Sequence, residues 1–227
     1  MQPFIVALPS RPDSNCISPV QSAFRRIACA GMAIIGISLA GCGGSSGAPF
    51  SPPVVAQQFS RAPGSFYALY TGPQRPALDV IAATSHFGSS ASVFTFSATM
   101  AGPVTGGAPN YYVLGLNRGG ATNAPFPGEP NVIFNAVVVV TIAADGTASS
   151  SVNLIPGGAT PLPASALTVS GATITVAVPA ASLPSTGAAL SAYTWNLWPR
   201  SGLGGSASTQ VASFAPENGE LPFLSSP

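Results

Sequence analysis

The sequence predicts an all-β protein, an antiparallel β-sandwich of about eight strands in the immunoglobulin or jelly-roll manner, behind a leader and a flexible tether. Three observations predict it. Apolar residues recur with period two in several short runs, Gly- and Pro-rich turn signals separate those runs, and no stretch carries a helical apolar stripe over three turns. Short alternating segments of this kind bury their apolar faces by packing one sheet on another.

Taken in order, "GGSSGAPFSPPVVAQQFSRAPG" (residues 43–64) shows no sustained period and reads as a tether, stiffer where Pro52 and Pro53 favour extended backbone. "SVFTFSATM" then places Phe94, Phe96, Ala98 and Met100 on one face and Val93, Thr95, Ser97 and Thr99 on the other. The β-branched runs "YYVLGL" (Tyr111 to Leu116) and "FNAVVVVTI" (Phe134 to Ile142) suit central strands buried on both faces. Asp145-Gly146 joins the second of these to "TASSSVNLI" as a hairpin, because both residues tolerate positive φ. Ser170-Gly171 joins "LTV" to "ATITVAVP" in the same manner, with Ile174, Val176 and Val178 on one side. "AYTWNLWP" sets Tyr193, Trp195 and Leu197 together, against Thr194, Asn196 and Trp198. Long proline-containing connections fill Pro103 to Pro109, Ala121 to Pro130 and Pro156 to Pro163, and "AASLPS" makes one short turn at most.

The leader carries a different signal. Arg25 and Arg26 precede the apolar run "IACAGMAIIGISLA", which is shorter than the roughly 20 residues of a spanning helix and contains Gly31 and Gly36. Positive patch, apolar core and small residues at the end form the three-part pattern of an export signal. Its end, Leu39-Ala40-Gly41-Cys42, resembles the lipobox of bacterial lipoproteins. That resemblance covers roughly Arg25 to Gly44 and implies that Cys42 receives a diacylglyceryl group and becomes the first residue of the mature chain. It also implies a membrane partner through two or three acyl chains, since one chain alone anchors only marginally. Gly43, standing where an aspartate favours inner-membrane retention in enteric bacteria, points to the outer membrane, facing the periplasm or the surface. The expected divisions are a signal peptide over 1–41, a lipidated cysteine and tether over 42–64, and a sandwich domain over 65–227.

Removing the first 41 of 227 residues leaves 186, enough for one substantial core. Cys16 and Cys29 fall in the removed part, so the mature chain folds without a disulfide. It has no lysine, four arginines (Arg61, Arg75, Arg118, Arg200) and five acids (Asp79, Glu129, Asp145, Glu217, Glu220), with no run of either sign. Nucleic-acid binding requires a clustered basic footprint and is excluded as a class.

Chemistry-bearing residues are sparse. His86 is the single histidine, and the formal Gly43-x-Ser45-x-Gly47 match lies in the tether, where no nucleophile elbow forms, so no catalytic residue is nominated. One histidine and scattered acids point to no metal and no cofactor; Asp79, Glu217 and Glu220 converging would be the exception, as a calcium site. Aromatic surface remains. Trp198 and Arg200, opposite the Tyr193-Trp195-Leu197 face, and the adjacent Tyr111 and Tyr112 are the candidate ligand-binding residues, by stacking on a sugar or a protein partner. The plainer alternative makes Trp195 and one tyrosine core and covers Trp198 with the loop "SGLGGSAS".

The order "LDVIAATSHFGSSASVFTFSATM", "YYVLGLN", "ATITVAVPAASL", "YTWNLWP", over about Ala77 to Pro199, resembles the sandwich modules of the DOMON and family-9 carbohydrate-binding type. The resemblance implies capture of a sugar or of haem, the latter through Met100 and His86. The expectation is thus a non-enzymatic envelope lipoprotein that binds a carbohydrate or similar ligand, or an envelope partner. A structural or assembly module without a small-molecule site is the alternative, and a haem-binding redox or hydrolytic protein a further one.

Overall fold

The computed structural model describes residues 57–120 and 123–226. The lipobox, Cys42 and most of the expected tether lie outside the described residues. The first strands are β1 (Phe59–Ser60), β2 (Val80–Gly88), β3 (Val93–Met100) and β4 (Asn110–Asn117). A small hairpin, β5 (Ala124–Phe126) and β6 (Glu129–Phe134), precedes β7 (Ala136–Ile142), β8 (Ala148–Leu154) and β9 (Ala159–Pro161). Then come β10 (Leu167–Ser170), β11 (Thr173–Pro179), β12 (Thr194–Arg200), β13 (Leu221–Pro222) and β14 (Leu224–Ser226). One helical turn, α1 (Ala207–Gln210), lies after β12.

Eight of these strands make two facing four-stranded sheets, β1, β9, β13 and β14 extend them, and β5 and β6 pair only with each other. The first sheet runs β1-β2-β3-β11-β10, with β14 also on β2; the second runs β13-β12-β4-β7-β8-β9. All pairings are antiparallel except β14 on β2. The fold is an all-β sandwich, as the period-two runs require. The short strands were not legible as strands. β5 and β6 occupy part of the expected Ala121–Pro130 connection, and β9 lies in the expected Pro156–Pro163 connection. Phe59 and Ser60, expected in the tether, pair with Ala83 and Ala82. Gln58 holds on further: its Oε1 accepts from the Ser85 amide at 2.6 Å, and its Nε2 donates to the Pro222 carbonyl at 2.6 Å. The domain therefore starts by Gln58, several residues before the expected boundary at 65.

The alternating runs place their apolar sides between the sheets. Phe94, Phe96, Ala98 and Met100 of β3 and Ile174, Val176 and Val178 of β11 meet Tyr112, Leu114 and Leu116 of β4 and Trp195 and Leu197 of β12 in one core. Rings bridge the two layers: Phe94 stacks on Tyr193 at 5.3 Å, and Phe96 meets Trp195 edge-on at 4.6 Å. The outer side of the first sheet is hydroxylated and half-buried, with Ser97 on Thr175 and Thr99 on Thr173 at 3.0 Å each. The Asp145-Gly146 turn closes β7 on β8 as expected, with one difference. Gly146 takes φ +87° while Asp145 stays at negative φ. The Asp145 side chain accepts the Thr147 amide at 2.9 Å, which holds its carboxyl below the usual carboxylate range.

Along β4, β7 and β12 the second sheet is buried on both faces, as the β-branched runs predict for β4 and β7. Its outer face carries Val113, Val139 and Trp198, covered by Phe126 of β5, Val132 of β6, and Val211 and Phe214 from the segment after α1. Gly115, on β4 beside Trp198, permits this packing. A Cβ there would overlap the Cη2 and Cζ3 atoms of the indole. Gly115→Ala is expected to destabilise the domain by about 1–3 kcal/mol through overpacking. Urea unfolding checks this, and the cost should shrink in a Trp198→Leu background, where the clash is gone.

Candidate functional site

The segments that cover the second sheet also build a depression beside Arg61. Arg61 follows β1 and continues its pairing, its amide donating to the Ile81 carbonyl at 2.9 Å. The side chain then turns inward. Nε donates to the Val80 carbonyl at 2.7 Å, Nη2 to Asp79 Oδ1 at 3.1 Å and Nη1 to Glu217 Oε1 at 3.4 Å. Asp79 is 1% exposed, and its second oxygen accepts the Gly64 amide at 2.6 Å. Gly64 sits at φ +89°, a conformation open to glycine, which lets the chain fold back over the carboxylate. Burial lowers the Arg61 guanidinium from its ordinary value, while both carboxylates act to raise it.

From this anchor the chain lays Phe66, Tyr67 and Tyr70 against the residues that follow α1. The Tyr67 amide donates to the Ala212 carbonyl at 2.8 Å, and the Tyr67 ring meets Phe214 edge-on at 5.2 Å. The nearby Glu129 carboxylate, together with burial, pushes the Tyr67 phenol up from its ordinary value. The segment carrying Phe214 and Glu217 is itself docked on β12. Leu197 and Ala215 exchange backbone hydrogen bonds at 3.0 and 2.8 Å, and Asn196 Nδ2 donates to the Pro216 and Gly219 carbonyls at 2.6 Å each. Glu220 closes the end of this segment, accepting from the Ile133 amide at 2.7 Å, from Asn117 Nδ2 at 3.3 Å and from the Thr194 hydroxyl.

The result is a cavity of about 220 Å³ lined by Arg61, Phe66, Tyr67, Phe214, Glu217 and Asn218. Phe66 is shared with a second depression of about 240 Å³, which reaches Pro63, Gln74, Pro76 and Asp79. Phe66 and Tyr67 are the half-buried rings of this wall, while Phe214, 1% exposed, backs them from the core; with one guanidinium, one carboxylate and one amide the wall can hold one small polar ring, apolar surface to stack on and polar groups to fix orientation.

The residues nominated from sequence fall elsewhere. Trp198 is 2% exposed and packed by Phe126 at 5.3 Å and Phe134 at 5.2 Å, so its ring is core and offers no stacking surface. The cover comes mainly from β5, β6 and the Phe214 segment, and the 201–208 loop suggested by the sequence contributes Ala207. Tyr112 is 1% exposed, faces the inter-sheet core and donates its hydroxyl to the Ala77 carbonyl at 2.7 Å; burial pushes its phenol upward. Tyr111 and Arg200 are brought together as directly opposed residues of β4 and β12, both half-buried, with Arg200 Nη2 donating to Gln210 Oε1 at 3.1 Å. They lie outside the cavity lining. His86 lies on the outer face of the first sheet opposite Thr95, whereas Met100 points into the core at the far end of β3. The two are not juxtaposed. Asp79 and Glu217 do converge, but on the Arg61 cation, and Glu220 is tied separately to β4, β6 and β12. No cluster of three metal-ligating side chains occurs among the described residues.

A second polar knot is structural in its chemistry. Arg118 is 3% exposed, and its guanidinium donates to Asn135 Oδ1 at 3.0 Å and to the Asn135 and Pro184 carbonyls at 2.8 Å each. Asn135 Nδ2 in turn donates to the Gly119 carbonyl and to Thr186 Oγ1. With all these bonds directed at the ends of β4, β7 and the 184–186 loop, the knot pins the strand ends and opens no surface.

Fold and cavity together describe an all-β sandwich with an aromatic-walled depression between Arg61 and Glu217. No family model, no curated protein and no solved structure matches the chain. No helix among the described residues is long and apolar enough to cross a membrane.

Proposed function

We propose that the chain is a lipid-anchored protein of a bacterial cell envelope, held at the outer membrane through Cys42, whose sandwich captures a carbohydrate or similar ligand without catalysis. The observation that carries the capture reading is the cavity between Arg61 and Glu217. Phe66 and Tyr67 supply its apolar wall, backed by the buried Phe214, and Asn218, Arg61 and Glu217 supply hydrogen-bonding groups. Rings beside fixed polar groups are what a pyranose needs, with its apolar ring face and its rim of hydroxyls. The anchor reading rests on Leu39-Ala40-Gly41-Cys42 behind the apolar leader.

One experiment tests each half. A glycan-binding screen on the full-length chain is expected to show saturable binding that is lost in Phe66→Ala, a half-buried position at the cavity wall. Absence of binding across the panel would falsify capture of a sugar. For the anchor, Cys42→Ala is expected to move the protein from the membrane pellet to the soluble fraction on envelope fractionation. Unchanged pelleting overturns the assignment.

A further inference from the structure

We infer that the cavity selects a cationic sugar, one carrying a free ammonium group, over neutral and acidic ones; this rests on the capture reading above. The inference comes from the charge balance around the cavity. Two charged groups line it, Arg61 and Glu217. They are not equivalent. Arg61 is already matched by Asp79, a buried carboxylate 3.1 Å from Nη2 with a side chain 2% exposed, and its Nε is spent on the Val80 carbonyl. Glu217 is 62% exposed and reaches Arg61 only at 3.4 Å. One cation between two carboxylates leaves the cluster with a net negative charge, and the accessible part of that charge is at the mouth.

The walls have the same sign. Aromatic faces carry the negative end of a quadrupole, and the half-buried Phe66 and Tyr67 line the cavity beside that carboxylate. An ammonium placed here meets ring faces and the Glu217 oxygens. A sugar carboxylate would instead have to displace Glu217 from Arg61 while remaining close to Asp79. A neutral N-acetyl sugar retains stacking but forfeits the charge contribution.

Calorimetric titration of the full-length chain with glucosamine, N-acetylglucosamine and glucuronate, at a pH where the amine is protonated, tests the inference. Glucosamine is expected to bind about tenfold tighter than N-acetylglucosamine, the scale of a partly desolvated cation–aromatic contact beside a carboxylate. That advantage should shrink as salt is raised, since Glu217 is exposed to screening. Glu217→Gln should abolish the difference between glucosamine and N-acetylglucosamine, bringing the ratio of their affinities to about one, whatever it does to each affinity alone. Equal or tighter binding of N-acetylglucosamine or glucuronate, or a preference surviving Glu217→Gln, overturns ammonium selection and leaves sugar capture standing. Failure of all three sugars to bind, in a chain whose unfolding transition is intact, overturns both.

Discussion

Trp198→Ala is expected to destabilise the domain by about 3–5 kcal/mol, the range for deleting a buried indole from a packed core. The magnitude follows from what the ring touches. Phe126, Phe134 and Phe214 lie with centroids 5.3, 5.2 and 6.3 Å from it, and these come from β5, β6 and the segment after α1. Removing the indole therefore empties the space that holds three chain segments on the outer face of the second sheet. Collapse around the void is limited because β4 and β12 are fixed by their ladder hydrogen bonds beneath it. Thermal unfolding should show a drop of roughly 10 °C, given a domain of this size. Trp198→Phe should lose less, because a phenyl ring keeps part of the contact. A Trp198→Ala protein that melts within a degree or two of the original would contradict the placement of this residue in the core. The same reasoning makes Trp198 a poor probe of ligand binding, since its loss disturbs Phe214 and with it the cavity wall.

The second large effect concerns the anchor of the cavity. Asp79→Ala is expected to cost about 3–5 kcal/mol, because it leaves a guanidinium without its closest counter-charge in a low-dielectric setting. Arg61 has a side chain only 11% exposed, and Glu217, the remaining carboxylate, is more distant and solvated. The Gly64 amide loses its acceptor at the same time. Urea unfolding should show a lower midpoint with an unchanged slope. The informative control is the paired replacement Arg61→Met with Asp79→Leu, which removes both charges. It should recover much of the loss, since desolvating an ion pair offsets most of what its attraction contributes. If the paired variant is as unstable as Asp79→Ala, the charge argument fails and lost packing explains the effect.

How much of this was legible beforehand differs by element, for a consistent reason. The sides of β3, β11 and β12 follow from alternation, because a strand turns successive side chains to opposite faces whatever surrounds it. The double burial of β4 and β7 was legible in their unbroken β-branched runs. Trp198 shows the limit. Its side of β12, opposite Trp195, was readable, but whether that side meets solvent depends on Phe126, Phe134 and Phe214, between 16 and 72 positions away. The cavity was harder still. Arg61 stood in a stretch with no period and so was assigned to the tether, and "GSFYALYTG" carries aromatics at spacings that match neither strand nor helix. The one usable signal was that density of rings in a loop, since rings outside a regular element must pack on something.

The sequence by itself determined the class of fold and the inner faces of its main strands, since each depends on local periodicity. Tertiary structure alone decided which aromatics became core and which became a wall. That outcome is set by segments far apart in the chain, Arg61 to Tyr67 and Phe214 to Asn218, meeting at the cavity. No local pattern encodes that meeting, because the buried Asp79–Arg61 pair and the docking of Ala215 on Leu197 exist only once both sheets have formed.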